Sequence, residues 1–135
     1  KKKKKKKKKI DNNLMSFLPN RPLTSEDIIN NVVKLKIRHF RGVFSRDSLP
    51  KKPLKIECAI LNLDSFYGNG THWVCYYRFK NKVIYFDSFG NLPPPIEVQK
   101  YFKGNNIIYN CSNFQKYNFY NCGHLCLEFL QRMNQ

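Results

Sequence analysis

The stretch WVCYYRFKNKVIYFD, from Trp73 to Asp87, constrains the fold more than any other part of this chain. Two runs rich in aromatic and β-branched residues flank Lys80 and Asn81, the pattern of a β-hairpin with a very short loop. With Lys80 and Asn81 as the loop, Phe79 faces Lys82 and paired positions sum to 161, so Val74 faces Asp87. His72 then lies on the same face as Asp87 and diagonal to it, about 7–8 Å away at the backbone and within reach of both side chains. A four-residue loop keeps this register, whereas a three-residue loop would turn every side chain to the other face. Taken singly, His72 reads as a loop-end residue and Asp87 as a strand-end cap. Their shared neighbourhood suggests instead a carboxylate that orients an imidazole.

The rest of the chain supplies elements around this hairpin. TSEDIINNVVKLKI predicts a helix capped by Thr24, with Asp27 three residues on as a variant of the capping box. Ile28, Val32, Val33 and either Leu35 or Ile37 form its apolar stripe. HFRGVFSRDSLPKKP, from His39, reads as a loop broken by Gly42, Pro50 and Pro53. ECAILNL, from Glu57, reads as a short apolar strand, DSFYGNGT as a loop, and SFGNLPPP as a rigid exit loop. IEVQKYF is a short helix that Pro95 starts and Gly104 stops, and NIIYN is a strand. Residues 122–131 form the last helix, with Asn121 as its cap. There is no internal repeat and no sign of a second domain. Strands lie in the middle and helices beside them, so the expected class is α+β, with a central, mostly antiparallel sheet flanked by helices.

The last helix opens on NCGHLCLEFL, and the placement of Cys122 is informative. The first turn of a helix has unpaired N–H groups and the positive end of the dipole, which favour a thiolate. A nearby imidazolium favours it further. Nucleophile, base and orienting acid are the parts of a thiol-protease site. Gly123 lets a substrate backbone come close. Cys126, one turn on, reads as core. The oxyanion needs donors: the Cys122 backbone N–H is one, and Gln115, seven residues upstream in NFQKYNFY, is the candidate amide for the second.

Composition limits the setting. Lys1–Lys9 carry nine of the +16 formal charges, and from Met15 onward 16 basic residues still outnumber 8 acidic ones. Residues 1–14 are expected to be a disordered Lys-rich leader of artefactual origin, and 15–135 a single domain. A basic body permits DNA as a weak surface partner. No segment reaches the roughly 18 apolar residues of a membrane span, and no signal peptide is visible. Five cysteines with no CxxC argue against a disulfide framework, so the expected location is nucleus or cytoplasm, with packaging into virions an option. A monomer is expected.

GTHWVCYY, YFDSFG and FQKYNFYNCGHLCLEFL together resemble the adenovirus-type cysteine protease family, adenain-like enzymes. They look most like the forms carried by Polinton (Maverick) virus-like transposons and related viruses, with SUMO-deconjugating proteases as distant relatives. SEDIINNVVKLKI resembles the family's first helix, HFRGVFSRDSLP its following loop and ECAILN its first core strand. The order His, acid, Gln, Cys is that of the superfamily. The resemblance implies Cys122 as nucleophile, His72 as general base, Asp87 (Glu in the adenovirus enzyme) as orienting acid, and Gln115 in the oxyanion hole. It implies that Trp73 shields the His and acid from water. It also implies an endopeptidase that cleaves capsid and core precursors at Gly-Gly or Gly-X-Gly sites. The chemistry needs no cofactor, although DNA and an activating peptide serve the adenovirus relative. Cys111 is the nearest candidate for that relative's activating cysteine, but lies too close to Cys122 in sequence.

Three alternatives compete. Zinc bound by Cys111, Cys122, His124 and Cys126 is disfavoured, because Cys122 and Cys126 share a helix face while His124 points elsewhere and knuckle spacing is absent. No metal is expected. A catalytically inactive, nucleic-acid-binding relic would use the eight Tyr and eleven Phe for stacking, yet these mostly follow strand patterns. An isopeptidase that removes a ubiquitin-like modifier would keep the same chemistry and also meet Gly-Gly.

Overall fold

The structure, a computed structural model, describes residues 18–64, 72–110 and 121–134. Among them the elements run α1 (Ser25–Lys34), β1 (Phe40–Ser45), β2 (Ile56–Asn62), β3 (Trp73–Phe79), β4 (Lys82–Phe86), α2 (Ile96–Tyr101), β5 (Asn106–Tyr109) and α3 (Cys122–Met133). The strands form one sheet in the order β1-β2-β3-β4-β5. β2, β3 and β4 pair antiparallel, and β1 and β5 join the two edges in parallel. A parallel neighbour needs a crossover, and α2 makes the one between β4 and β5.

The hairpin has the expected register: Phe79 pairs with Lys82, and Cys75 with Phe86. Lys80 turns the chain with φ +56°, and its ammonium lies 5.3 Å from the Phe79 ring centroid. Alternation then divides the side chains between the two faces of the sheet. Cys58, Ile60, Trp73, Cys75 and Phe86 pack with Ile28 and Val32 of α1 and with Cys126, Leu127 and Leu130 of α3. Ala59, Leu61, Val74, Tyr76, Val83 and Tyr85 pack with Val98 of α2 and with Phe102. Helices therefore cover both faces. α1 begins with the full capping box: Thr24 Oγ1 accepts from the Asp27 N–H at 3.1 Å, and the Asp27 carboxylate accepts from the Thr24 N–H at 2.9 Å.

Four local expectations are corrected. The HFRGVFSRDSLP segment contains a strand, β1, rather than only loop. Gly42, read as a breaker, lies at φ +144° where the β1–β2 register shifts between Phe40 and Val43, so it marks a bulge. Val33 does not join the buried stripe of α1 and is 72% exposed. It lies five residues from Ile28, past the four-residue spacing that brings Val32 onto the same side. Asn121 makes no side-chain cap bond to α3, because at φ −96°, ψ 17° it lacks the extended backbone from which a cap side chain reaches back.

The second face buries a charge. Glu57 is fully buried, and its carboxylate accepts from the Arg41 guanidinium at 2.8 Å, the Leu54 N–H at 2.6 Å, the Tyr76 hydroxyl at 2.6 Å and the Tyr101 hydroxyl at 2.8 Å. These four donors tie β1, β3 and α2 to β2. Removing one partner of a buried ion pair leaves an uncompensated charge. We expect Arg41→Met to lower the unfolding free energy by about 3 kcal/mol in urea titrations, toward the low end of that class because three donors remain. A loss below about 1 kcal/mol would show that those three donors suffice alone.

Candidate active site

The hairpin's open end brings the imidazole and the carboxylate together. His72 immediately precedes β3 and Asp87 immediately follows β4. The His72 Nε2–H donates to Asp87 Oδ1 at 2.7 Å, and both side chains are buried. Asp87 Oδ1 also accepts from the Phe89 N–H at 2.9 Å, and the Phe89 ring stacks on the imidazole with centroids 4.4 Å apart. With Nε2 committed to the carboxylate, Nδ1 is the nitrogen left for another partner.

Cys122, the first residue of α3, neighbours the imidazole, and the two groups shift each other's pKa. The Trp73 backbone N–H donates to Cys122 Sγ at 3.4 Å. Burial raises a thiol's pKa, but the bonds from His72 and from the Trp73 and Gly123 N–H groups outweigh it and lower that of Cys122. Burial likewise lowers the pKa of His72, yet the bonds to Asp87 and Cys122 prevail and raise it to about 9. The two shifts act in one sense, favouring the proton on the imidazole over the sulfur. Cys58 and Cys126, both buried thiols, shift the other way, and burial pushes Cys58 up to about 12.

The other sequence-derived positions fall as follows. Trp73 is buried beside the site. Its indole N–H donates to the Leu23 carbonyl at 2.9 Å, while the ring stacked on His72 is Phe89. Gly123 is also buried, and a Cβ there would stand 3.1 Å from Trp73 Cδ1 and 3.2 Å from Leu23 Cδ1. The space expected for a substrate backbone is thus filled by the protein's own Trp73 and Leu23. His124 donates from Nε2 to the Pro19 carbonyl at 2.7 Å, and Cys126 is buried in the core. Gln115 and Cys111 lie outside the described residues. Sequence reasoning missed Phe89 and Asn110, whose side chain bonds to the backbone of Asp87. Phe89 sits two residues past the acid in YFDSFG, and the hairpin register ends before it. Asn110 gave no signal, because its partner lies 23 residues away across a parallel edge.

The arrangement can supply a thiolate, an imidazolium beside it and a carboxylate behind that. Alkylation of Cys122 by iodoacetamide should rise as pH climbs through its lowered pKa, and then hold a plateau until His72 loses its proton near pH 9. In His72→Ala the rise should move toward the free-thiol value of about 8.5. Mapping the modified cysteine by mass spectrometry checks this; an unmoved profile in His72→Ala would remove the imidazole from the site.

No protein-family model and no curated protein matches this chain. Solved structures do. The SUMO protease Ulp1 with its catalytic cysteine oxidized to a sulfonic acid is matched with a TM-score of 0.56 at 18% identity, over 86% of this chain and 68% of that one. The form oxidized to a sulfenic acid gives a TM-score of 0.57 at 18% identity, over 90% and 70%. The ASFV pS273R protease gives 0.56 at 16% identity, over 87% of this chain and 59% of that protease. The α+β architecture described above is that of the Ulp1-like fold.

Proposed function

We propose that this chain is a cysteine endopeptidase in which Cys122 is the nucleophile, His72 the general base, Asp87 the orienting acid and Gln115 an oxyanion donor. The observation that carries the reading is the buried line of thiol, imidazole and carboxylate, with the 2.7 Å His72–Asp87 bond behind a thiol of lowered pKa. The likeness in fold to two proteins named as proteases supports it. The Cys122 thiolate attacks the scissile carbonyl carbon, and the tetrahedral oxyanion is held by the Cys122 N–H and Gln115. The imidazolium passes its proton to the leaving amine, and the C–N bond breaks to leave a thioester. His72 then takes a proton from water, the resulting hydroxide attacks the thioester, and the acid product leaves as Cys122 is regenerated.

In this reading the substrate is a capsid or core precursor of a virus or virus-like transposon, cut where small residues such as Gly-Gly or Gly-X-Gly meet the site. A second reading keeps the chemistry and makes the substrate an isopeptide-linked modifier, favoured by the likeness to a SUMO protease. DNA on the basic body is a candidate activator, and stimulation by it should fade steeply as salt rises.

The test is a pair of substrates: a linear peptide containing Gly-X-Gly, and a SUMO-type modifier joined through its Gly-Gly terminus to a lysine side chain. Cleavage of the first alone supports the endopeptidase, and cleavage of the second supports the isopeptidase. In either case Cys122→Ala should abolish turnover without unfolding the chain, and turnover equal to wild type would overturn the assignment. Gln115→Ala should lower kcat/KM by the equivalent of about 2.7–4 kcal/mol, the usual loss for one oxyanion donor. An unchanged kcat/KM would remove Gln115 from the site.

A further inference from the structure

We infer that Asn110 is a positioning residue for the catalytic machinery: its side-chain amide holds the backbone of Asp87, and through it the carboxylate that orients His72. The inference rests on the proposed roles of His72, Asp87 and Cys122, and adds a residue that those roles do not name.

Asp87 needs such a holder because it stands just beyond β4, whose ladder with β5 ends at the pair Tyr85–Tyr109. Past that pair the two backbones stop exchanging ladder bonds. The side chain of Asn110 continues the pairing in their place. Its Oδ1 accepts from the Asp87 N–H at 2.9 Å and its Nδ2 donates to the Asp87 carbonyl at 2.7 Å. A primary amide offers a donor and an acceptor side by side, so it can mimic a strand neighbour at a point where no strand continues. The Asn110 backbone joins in: its carbonyl accepts from the Asn91 N–H at 2.8 Å.

The segment held in this way is the turn from Asp87 to Asn91. The Gly90 N–H closes it onto the Asp87 carbonyl at 2.9 Å, and Gly90 and Asn91 take φ values of +76° and +52°. The same turn carries the carboxylate bonded to His72 and the Phe89 ring stacked on it. Three hydrogen bonds from Asn110 therefore fix both the acid and the cover of the imidazole. A displacement of Asp87 weakens the bond that keeps His72 protonated, and a weaker imidazolium raises the pKa of the Cys122 thiol. Among the described residues, the ionisable groups that act on His72 are Asp87 and Cys122.

The test reads the apparent pKa of Cys122 from iodoacetamide kinetics across pH, alongside the thermal midpoint, for wild type, Asp87→Ala, Asn110→Ala, the milder Asn110→Ser, and the double variant. Asp87→Ala sets the scale. Asn110→Ala should raise the thiol pKa by about one unit, a roughly tenfold loss of thiolate on the acid side of the profile. Asn110→Ser should shift it less in the same direction, which also covers failure of Asn110→Ala to fold. In the Asp87→Ala background, Asn110→Ala should add nothing to the shift, since the two act through one path. Ile107→Ala, on the same strand, should lower the thermal midpoint and leave the thiol pKa in place. The inference is overturned if both Asn110 variants lower the thermal midpoint but leave the thiol pKa unmoved. It is also overturned if the shift persists undiminished without Asp87, or if Ile107→Ala moves the thiol as far. A silent Asp87→Ala would overturn the triad reading as well, which separates the two failures.

Discussion

The antiparallel register of β3 against β4 sets where the imidazole and the carboxylate meet. His72 and Asp87 lie 15 positions apart in the chain and are joined by a 2.7 Å bond, because Phe79 pairs with Lys82 and every pair above them follows. One residue of slip would send the carboxylate to the opposite face. The register is over-determined by what each face must bury. Trp73, Cys75 and Phe86 belong with α1 and α3, whereas Val74, Tyr76 and Tyr85 belong with α2 and Phe102. A sheet with apolar packing on both faces cannot slide without exposing one set and burying the lysines of the turn.

The Glu57 cluster and the Cys122 site both bury ionisable groups and handle them differently. Around Glu57 every lone pair has a donor, and the donors come from β1, β3, α2 and the Leu54 backbone. That cluster is finished: it binds the sheet to α2 and leaves nothing for a ligand. At Cys122 the surrounding groups lower the pKa of the thiol instead of closing it off. The Trp73 N–H donates to the thiol, and its influence with that of His72 and the Gly123 N–H overcomes the burial that dominates at Cys58 and Cys126. Buried thiols thus shift in opposite directions, and the donors around Cys122 decide its direction.

Much of this arrangement was legible in the sequence, and the reason is periodicity. The β3–β4 hairpin, α1 with its Thr24–Asp27 box, the short helix after Pro95 and the helix that opens on Cys122 all have local patterns that define them. What escaped was non-local. β1 hid behind Gly42, because a bulge and a breaker look alike until the parallel partner β2 is present. The two parallel edges left no trace in the hairpin arithmetic. Asn121 looked like a cap by residue type, but its backbone angles keep the side chain from serving. Gly123 looked like space for a substrate, whereas Trp73 and Leu23 occupy that space from elsewhere in the chain. In the candidate site, the pair His72–Asp87 followed from strand pairing, while Phe89 and Asn110 depend on a turn and an edge strand that periodicity does not describe.

The seating of α3 has a consequence in time as well as in space. Its first residues meet Trp73, 49 positions earlier, and Trp73 in turn bonds to Leu23, 50 positions before that. Three distant stretches of chain must close on one another before the thiol has any donors. Loop closure over such separations is slow relative to the formation of a helix or a hairpin. During synthesis, which runs from the N-terminus, the sheet can assemble while Cys122 is still unmade. The sulfur gains the Trp73 N–H as a donor only once α3 docks on the sheet, so the lowered pKa of the thiol belongs to the assembled fold and not to α3 by itself.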